Sequence, residues 1–286
     1  MSALEARGVC LELGGEPILT DVDARVACGE VVALLGPNGA GKSTLLSALT
    51  GERRPGAGEV WLGGRDVRGM SPRELALARA VLPQHASLTF PLTASQIVRL
   101  GRAPHTSSPA EDARVEELSL RLAGVWHLRE RAYDTMSGGE RQRVQLARVL
   151  AQLLPVEGTS RWLLLDEPTA SLDPARALDV LELSRELARR GVGVCVVLHD
   201  VNLAARYADR VVVMRGGRVL AEGPPADVFT PETFTRAFDM SVEILHDPRL
   251  GHPVVVPLRG EDPFVFPEST TSPDEEVPYV PGRRSA

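Results

Sequence analysis

The chain has 286 residues, enough for one large domain or a core domain with a smaller one grafted on. Apolar content of 43% and charged content of 24% give an ordinary globular balance, and a net charge of −6 offers no sequence-wide attraction to nucleic acid. The three cysteines, Cys10, Cys28 and Cys195, form no CxxC pair, which argues against a zinc site or disulfide framework and fits a reducing cytosol.

The start MSALEARGVC lacks a basic segment followed by a long apolar stretch, so no signal peptide is read there. The longest apolar runs, VVALL, WLLL and VCVVL, are strand-length and far short of the roughly 20 residues a membrane helix needs. A soluble chain able to dock on a membrane protein is expected.

Residues 1–35 read as strands, with GVCLEL and VDARVACGEVVALL punctuated by Gly14-Gly15 and Gly29. EVVALL runs into GPNGAGKST, and TLLSALT continues as helix. GEVWLGGRDV reads as a hairpin. SPRELALARAVLPQ reads as a helix capped by Ser71 with Pro72 at its first position, then a short strand. Residues 90–153 are mostly helical: TASQIVRLGR, AEDARVEELSLRLAGV, and a helix after Ser137 with Val144, Ala147, Leu150, Ala151 and Leu154 on one face. Alternation then returns as strand 162–166, helix 174–190, strand 192–198, helix 200–207 and strand 210–214. The segment VGVCVVL makes Cys195 a core thiol. GGRVLAEG reads as a hairpin, PPADVF and TPETFTRAF as short helices, the latter capped by Thr230, and 242–258 as strands. The expected organisation is a main domain over 1–240 with a helical insert at about 88–153, an accessory segment at 241–260, and a disordered tail over 261–286.

The chemistry concentrates in a few stretches. GPNGAGKST matches a phosphate loop: Gly36, Pro37, Asn38, Gly39, Ala40, Gly41, Lys42, Ser43 and Thr44. Its backbone amides cradle the β-phosphate, Lys42 reaches the β/γ oxygens, and the Ser43 hydroxyl ligates Mg²⁺. In RWLLLDEPTASLD an apolar strand ends at Asp166, placed to hold Mg²⁺ mostly through water, and Glu167, placed to orient or deprotonate an attacking water. Asp173 before Pro174 is a helix N-cap that can double as a contact. His199 ends the strand VCVVLH, on the edge where α/β ligands bind, and a neutral imidazole there can donate to a γ-phosphate and to the attacking water. Gln84 joins the first core part to the helical insert and reads either as a polar linker or as a Mg²⁺/water ligand that senses the γ-phosphate. In MSGGERQRVQLARVLAQ, Ser137 is a natural N-cap, and Gly138 and Gly139 bare the backbone amides of a helix N-terminus, which suits an anion.

The ordered set GPNGAGKST, Gln84, SGGER, LLLDEP, SLD and His199 resembles the ATP-binding subunits of ABC transporters over about residues 4–240. The resemblance implies an α/β fold: a P-loop NTPase core of the ABC type, with an inserted helical subdomain and an N-terminal antiparallel β subdomain. It implies ATP and Mg²⁺ as ligands and a head-to-tail dimer with a second copy, in which Ser137, Gly138 and Gly139 hold the phosphate bound by the other copy's loop. Glu140 stands where glutamine is commoner in this signature, and no effect is expected. The family usually stacks adenine on an aromatic side chain; Leu13 occupies that place here. Losing the stacking costs roughly 1 kcal/mol, so weaker base discrimination and competition by GTP are expected.

A nearer resemblance is to the hemin-import ATPases, allied to ferric-siderophore and cobalamin importers. It rests on RAVLPQHASLTFPLTASQIVRLGRAPH, SGGERQRVQLARVLAQL, the insert LPVEGTSRW and VLHDVNLAARYADRVVVMRGGRV. It implies ATP hydrolysis coupled to hemin uptake, two permease subunits, an extracytoplasmic hemin-binding protein, and a peripheral place on the cytoplasmic face of the inner membrane. Haem itself is not expected to touch the chain, so His85, His105, His127, His246 and His252 read as surface or loop residues. Arg99 and Arg102 read as an exposed basic pair, solvated or facing acidic permease residues. Siderophore or cobalamin is the alternative cargo. A soluble ABC-type ATPase acting on DNA or ribosomes is disfavoured by the single cassette, the absence of heptads and the lack of basic surplus.

Overall fold

A computed structural model of the chain describes residues 2–84, 91–155 and 160–258. In chain order the elements are β1 (Ala3–Leu13), β2 (Glu16–Ala27), β3 (Val31–Leu35), α1 (Lys42–Leu49), β4 (Ala57–Leu62), β5 (Arg65–Asp66), α2 (Pro72–Ala78) and β6 (Arg79–Leu82). The helical insert follows: α3 (Ala94–Leu100), α4 (Pro109–Leu122) and α5 (Gly138–Leu153). Then come β7 (Trp162–Asp166), α6 (Pro174–Arg189), β8 (Gly193–Val197), α7 (Val201–Tyr207), β9 (Arg210–Arg215) and β10 (Arg218–Gly223). The chain closes with α8 (Pro225–Val228), α9 (Pro231–Phe238), β11 (Val242–His246) and β12 (Pro253–Pro257).

Two sheets make the frame. A four-stranded antiparallel sheet runs β2-β1-β4-β5, and a six-stranded sheet runs β10-β9-β3-β8-β7-β6. In the second sheet β6, β7, β8, β3 and β9 are parallel, and β10 closes one edge antiparallel to β9. The three strands β3, β7 and β8 are buried at every position, as expected for a parallel sheet covered on both faces. One core lies between the sheets and gathers Leu4, Val22, Leu34, Leu45, Leu164 and Val212. Trp162 ties the two together there: it is 1% exposed, and its Nε1 donates to the Val26 carbonyl at 3.0 Å. The other core joins the opposite face of the parallel sheet to the helical insert and the C-terminal elements, including Leu163, Val196, Leu150, Ile97 and Phe234. Cys195 lies inside the sheet, 1% exposed, and burial pushes its thiol up to about 12, so it is an inert core group.

The elements read from sequence are found, among the described residues, with small changes. β1 begins at Ala3, before GVCLEL, and β2 begins at Glu16 rather than at Val22. PPADVF holds only the single turn of α8. Ser71 caps α2 in a reciprocal box with Glu74, and Ser137 caps α5 in the same way with Glu140. On α5, Val144, Ala147, Leu150 and Ala151 are buried as the spacing requires, while Leu154 lies just past the helix end. Residues 242–258 form one antiparallel hairpin. The disordered-tail expectation and His85 fall outside the described residues. No helix among the described residues is long and apolar enough to cross a membrane.

One expectation needs correction. Arg102 is 5% exposed, not a surface charge: its guanidinium pairs with Asp112 at 2.8 Å and donates to the carbonyls of Ala151 and Leu154 at 2.8 and 2.7 Å. It satisfies the C-terminal end of α5, which leaves carbonyls without intrahelical partners, and it is not available to a permease. Arg99 is exposed but already paired with Glu116. His105 lies in a loop, as expected, and is half-buried. Its Nε2 contacts the Gln152 carbonyl at 2.8 Å, and burial lowers its pKa. His127 and His246 are exposed, and His252 is half-buried next to the Pro253 carbonyl.

Candidate nucleotide site

The site forms at the carboxyl ends of the parallel strands, where β3, β7 and β8 each hand over to a loop. From β3 the chain turns through residues 36–41 into α1. Gly36 is required at the exit of the strand: its φ is +146°, and a Cβ there would lie 2.2 Å from the Met214 carbonyl oxygen. Lys42 starts α1 and is only 6% exposed. Its Nζ donates to the carbonyls of Gly36 and Pro37 at 2.8 and 3.0 Å, which pins the ammonium across the mouth of the loop. Burial lowers its pKa, while Glu167 and Asp166 nearby oppose the shift.

Strand β7 delivers the carboxylates. Asp166 is 8% exposed, and Ser43 Oγ donates to its Oδ1 at 3.1 Å. Burial raises the Asp166 pKa, with the Ser43 hydrogen bond acting against it. Glu167 follows with φ +49°, a left-handed backbone that costs a side-chain-bearing residue about 1–2 kcal/mol. This turn brings its carboxylate between two neighbours: Gln84 Nε2 donates to Oε2 at 2.8 Å, and His199 Nε2 lies 2.7 Å from Oε1. Gln84 comes from the end of β6 and His199 from the end of β8, so three strand ends converge on one carboxylate.

Of these residues Lys42, Ser43, Gln84, Glu167 and His199 line one cavity of about 740 Å³. Its wall carries Asn38 to Thr44, Gln84, Glu167 and His199, with Leu13 and Ile18 at the apolar end. Chemically it offers one ammonium and a turn of backbone amides for phosphate, apolar contact for a base, and a carboxylate held by an imidazole and an amide. The Ser43 hydroxyl and the Asp166 carboxylate are the hard oxygen donors that Mg²⁺ prefers, and the pair fits that ion. Among the described residues no cluster of three or more His, Cys, Asp or Glu offers a site for a softer metal.

The remaining expected residues do not line this cavity. Ser137, Gly138 and Gly139 form the start of α5, where Ser137 Oγ accepts from Glu140 N at 3.3 Å and Glu140 accepts from Ser137 N at 2.7 Å. Gly139 packs against the loop after β7: a Cβ on it would sit 3.0 Å from the Ser171 carbonyl oxygen. Asp173 caps α6 by accepting from Arg176 N at 3.0 Å. Within one chain these groups therefore form a second surface beside the cavity. One residue was not singled out from the sequence: Gln142, on α5, donates through Nε2 to the Glu167 carbonyl at 3.1 Å. Its position five residues after the cap Ser137 is the only local hint, since the contact joins elements far apart in sequence.

Residues 19–170 match the family model described as ABC transporter. The Hemin import ATP-binding protein of Gloeobacter violaceus is 46% identical over 258 residues, covering 89% of this chain and 94% of the relative. The protein of the same name in Streptomyces coelicolor is 50% identical, covering 89% and 90%. Among solved structures, an inward-facing ABC transporter of the metal-chelate type aligns with a TM-score of 0.74 and 26% identity, covering 90% of this chain and 98% of that one. A dimeric ATP-binding cassette in a post-hydrolysis state with ADP and Pi aligns with a TM-score of 0.68 and 27% identity, covering 77% and 98%.

Proposed function

We propose that this chain, which belongs to the ABC transporter family, is the ATP-binding and ATP-hydrolysing subunit of an importer that takes up hemin through a partner permease. The observation that carries the reading is the cavity lined by Lys42, Ser43, Glu167, Gln84 and His199, with Asp166 bonded to Ser43, in a chain that matches hemin-import relatives along nearly their whole length. Ferric siderophore or cobalamin is the second reading of the cargo; like hemin, each is a metal chelate, so the metal-chelate type transporter among the structural neighbours is compatible with all three.

In this reading Lys42 and the loop amides bind the β- and γ-phosphates, and Leu13 with Ile18 contacts the base. Ser43 and Asp166 hold Mg²⁺, with Gln84 as a further polar neighbour. The bound ion supplies positive charge to the phosphate oxygens. Glu167 accepts the proton of the attacking water at a carboxylate oxygen. His199 and Gln84 fix the direction of that carboxylate, and His199 also donates to the γ-phosphate. Most of the catalysis is electrostatic positioning.

Ser137, Gly138 and Gly139 of a second copy close the cavity over the γ-phosphate, and Asp173 lies at the same junction. ATP thereby holds two copies together, and hydrolysis lets them part. Two permease subunits, an extracytoplasmic hemin-binding protein and a place at the cytoplasmic face of the inner membrane complete the assembly. The test is transport itself. Proteoliposomes holding this chain and its permease, with ATP on the chain's side, are expected to accumulate hemin from its binding protein. ATP turnover without hemin accumulation would reject hemin as the cargo.

A further inference from the structure

The C-terminal hairpin takes no part in the nucleotide cavity, yet it is fastened to α7, the helix that follows His199 in the chain. β11 and β12 pair from Val242 opposite Pro257 to His246 opposite Pro253, with Ile244 opposite Val255. The backbone of Val255 is engaged from outside that ladder by the side chain of Asn202 on α7. Asn202 Oδ1 accepts from Val255 N at 2.8 Å, and Asn202 Nδ2 donates to Val255 O at 3.1 Å. One side-chain amide thus meets the donor and acceptor of one residue, as a neighbouring strand would. Val242 and Val255 are 4% and 2% exposed, packed into the same core as Ala204, Ala205 and Phe234.

α7 has seven residues, too few to hold its own geometry without tertiary contacts. Its N-cap, Asp200, directly follows His199. The last backbone tie before it is Leu198 N to Leu34 O at 3.2 Å. The carboxylate of Asp200 then caps the helix, accepting from Asn202 N at 2.8 Å and Leu203 N at 3.0 Å. At the far end Tyr207 Oη bonds Glu182 at 3.1 Å. The His199 side chain is 48% exposed, so packing does not fix its ring. Its direction is set by the backbone between Leu198 and Asn202 and by its contact with Glu167.

We infer that Asn202 is a positioning residue for the hydrolysis: by clasping Val255 it uses the C-terminal hairpin to hold α7, and so holds the His199 imidazole against Glu167. The inference rests on the ATPase reading given above. Asn202 touches neither nucleotide nor Glu167, and the phosphate loop lies on a different strand. Loosening the clasp therefore lowers kcat and leaves the KM for ATP in place.

The experiment uses the full chain in its reconstituted transporter for kinetics and the full chain labelled with ¹⁵N-histidine for spectroscopy. Asn202→Ala removes both bonds. Asn202→Asp is nearly isosteric, keeps the bond accepted from Val255 N and loses the donated one, so it guards against a folding defect. An ångström-scale displacement of a catalytic group costs up to about 100-fold. Asn202→Ala is expected to lower kcat about tenfold, with an unchanged KM, and Asn202→Asp, whose second oxygen opposes the Val255 carbonyl, is expected to lower kcat as well. The His199 Nε2 resonance, assigned by its disappearance in His199→Gln, is expected to move in both variants toward its position in Glu167→Gln. An unchanged kcat or an unchanged His199 resonance overturns the inference, whatever happens to the melting temperature. If the parent chain itself showed no turnover, the ATPase reading would fall, and the resonance alone would decide the clasp.

Discussion

Glu167→Gln is the substitution that separates binding from chemistry. The native carboxylate uses one oxygen for Gln84 at 2.8 Å and the other for His199 at 2.7 Å. A glutamine can accept from Gln84 with its one oxygen but turns an NH₂ toward His199, so that contact survives only if His199 Nε2 becomes the acceptor. Hydrogen bonds to charged groups contribute about 1.5–3 kcal/mol each, and this bounds the cost to local order. The catalytic loss is larger. A general base contributes about 10²–10⁴ in rate, or roughly 3–5 kcal/mol of barrier, and an amide cannot take the proton. Lys42, Ser43 and the loop amides are untouched, so nucleotide affinity stays within about threefold, less than 1 kcal/mol. The variant is therefore expected to bind Mg²⁺–ATP, to accumulate as a dimer in size-exclusion chromatography with ATP present, and to turn over at least 100-fold more slowly than the parent. Hydrolysis within twofold of the parent would refute the role given to Glu167.

Other substitutions test the remaining parts. Lys42→Ala removes the ammonium that spans the loop and is expected to weaken ATP binding by about 100-fold or more, near 2.7 kcal/mol, read by equilibrium titration. Leu13→Tyr restores a stacking surface and is expected to raise ATP affinity by about 0.5–1.5 kcal/mol and to change the GTP-to-ATP preference; an unchanged ratio would remove Leu13 from the base site. Ser137→Asp keeps an N-cap on α5 but sets a carboxylate where the other copy's phosphate is proposed to lie. Its melting temperature should hold while ATP-driven dimerisation is lost, whereas Ser137→Ala should cost about 1 kcal/mol of stability. Asp166 gives a pH test: its folded pKa is raised, so the folded state holds the proton more tightly than the unfolded chain does. Stability of the nucleotide-free protein should fall as pH rises through the interval between the ordinary and the raised value. Asp166→Asn should remove that fall and melt higher than the parent at neutral pH, with the difference vanishing in acid.

What was legible in the sequence follows from the range of each interaction. The phosphate loop, the Ser137 cap and the Asp166–Glu167 pair are local, fixed by a glycine-rich turn, a hydroxyl before a helix, and an apolar strand running into two acids. The convergence of Gln84 and His199 on Glu167 is not local; it required the strand order β3-β8-β7-β6, and nothing in the sequence showed it. Arg102 was misread because a charged residue on a helical segment looks solvated until the end of α5 is seen to need donors. Gln142 and Asn202 escaped notice because their partners, Glu167 and Val255, are 25 and 53 residues away. The hairpin at 242–258 was legible as strands, but its attachment to α7, just after His199, was not.

The most direct measurement is the ATPase rate of this chain reconstituted with its permease in lipid, with the binding protein loaded in turn with hemin, ferric siderophore and cobalamin. Stimulation by hemin-loaded protein, and not by the other two, is the expected result. Stimulation by siderophore or cobalamin instead would contradict hemin as the cargo, and an ATPase rate indifferent to the permease and to every cargo would contradict an importer subunit altogether.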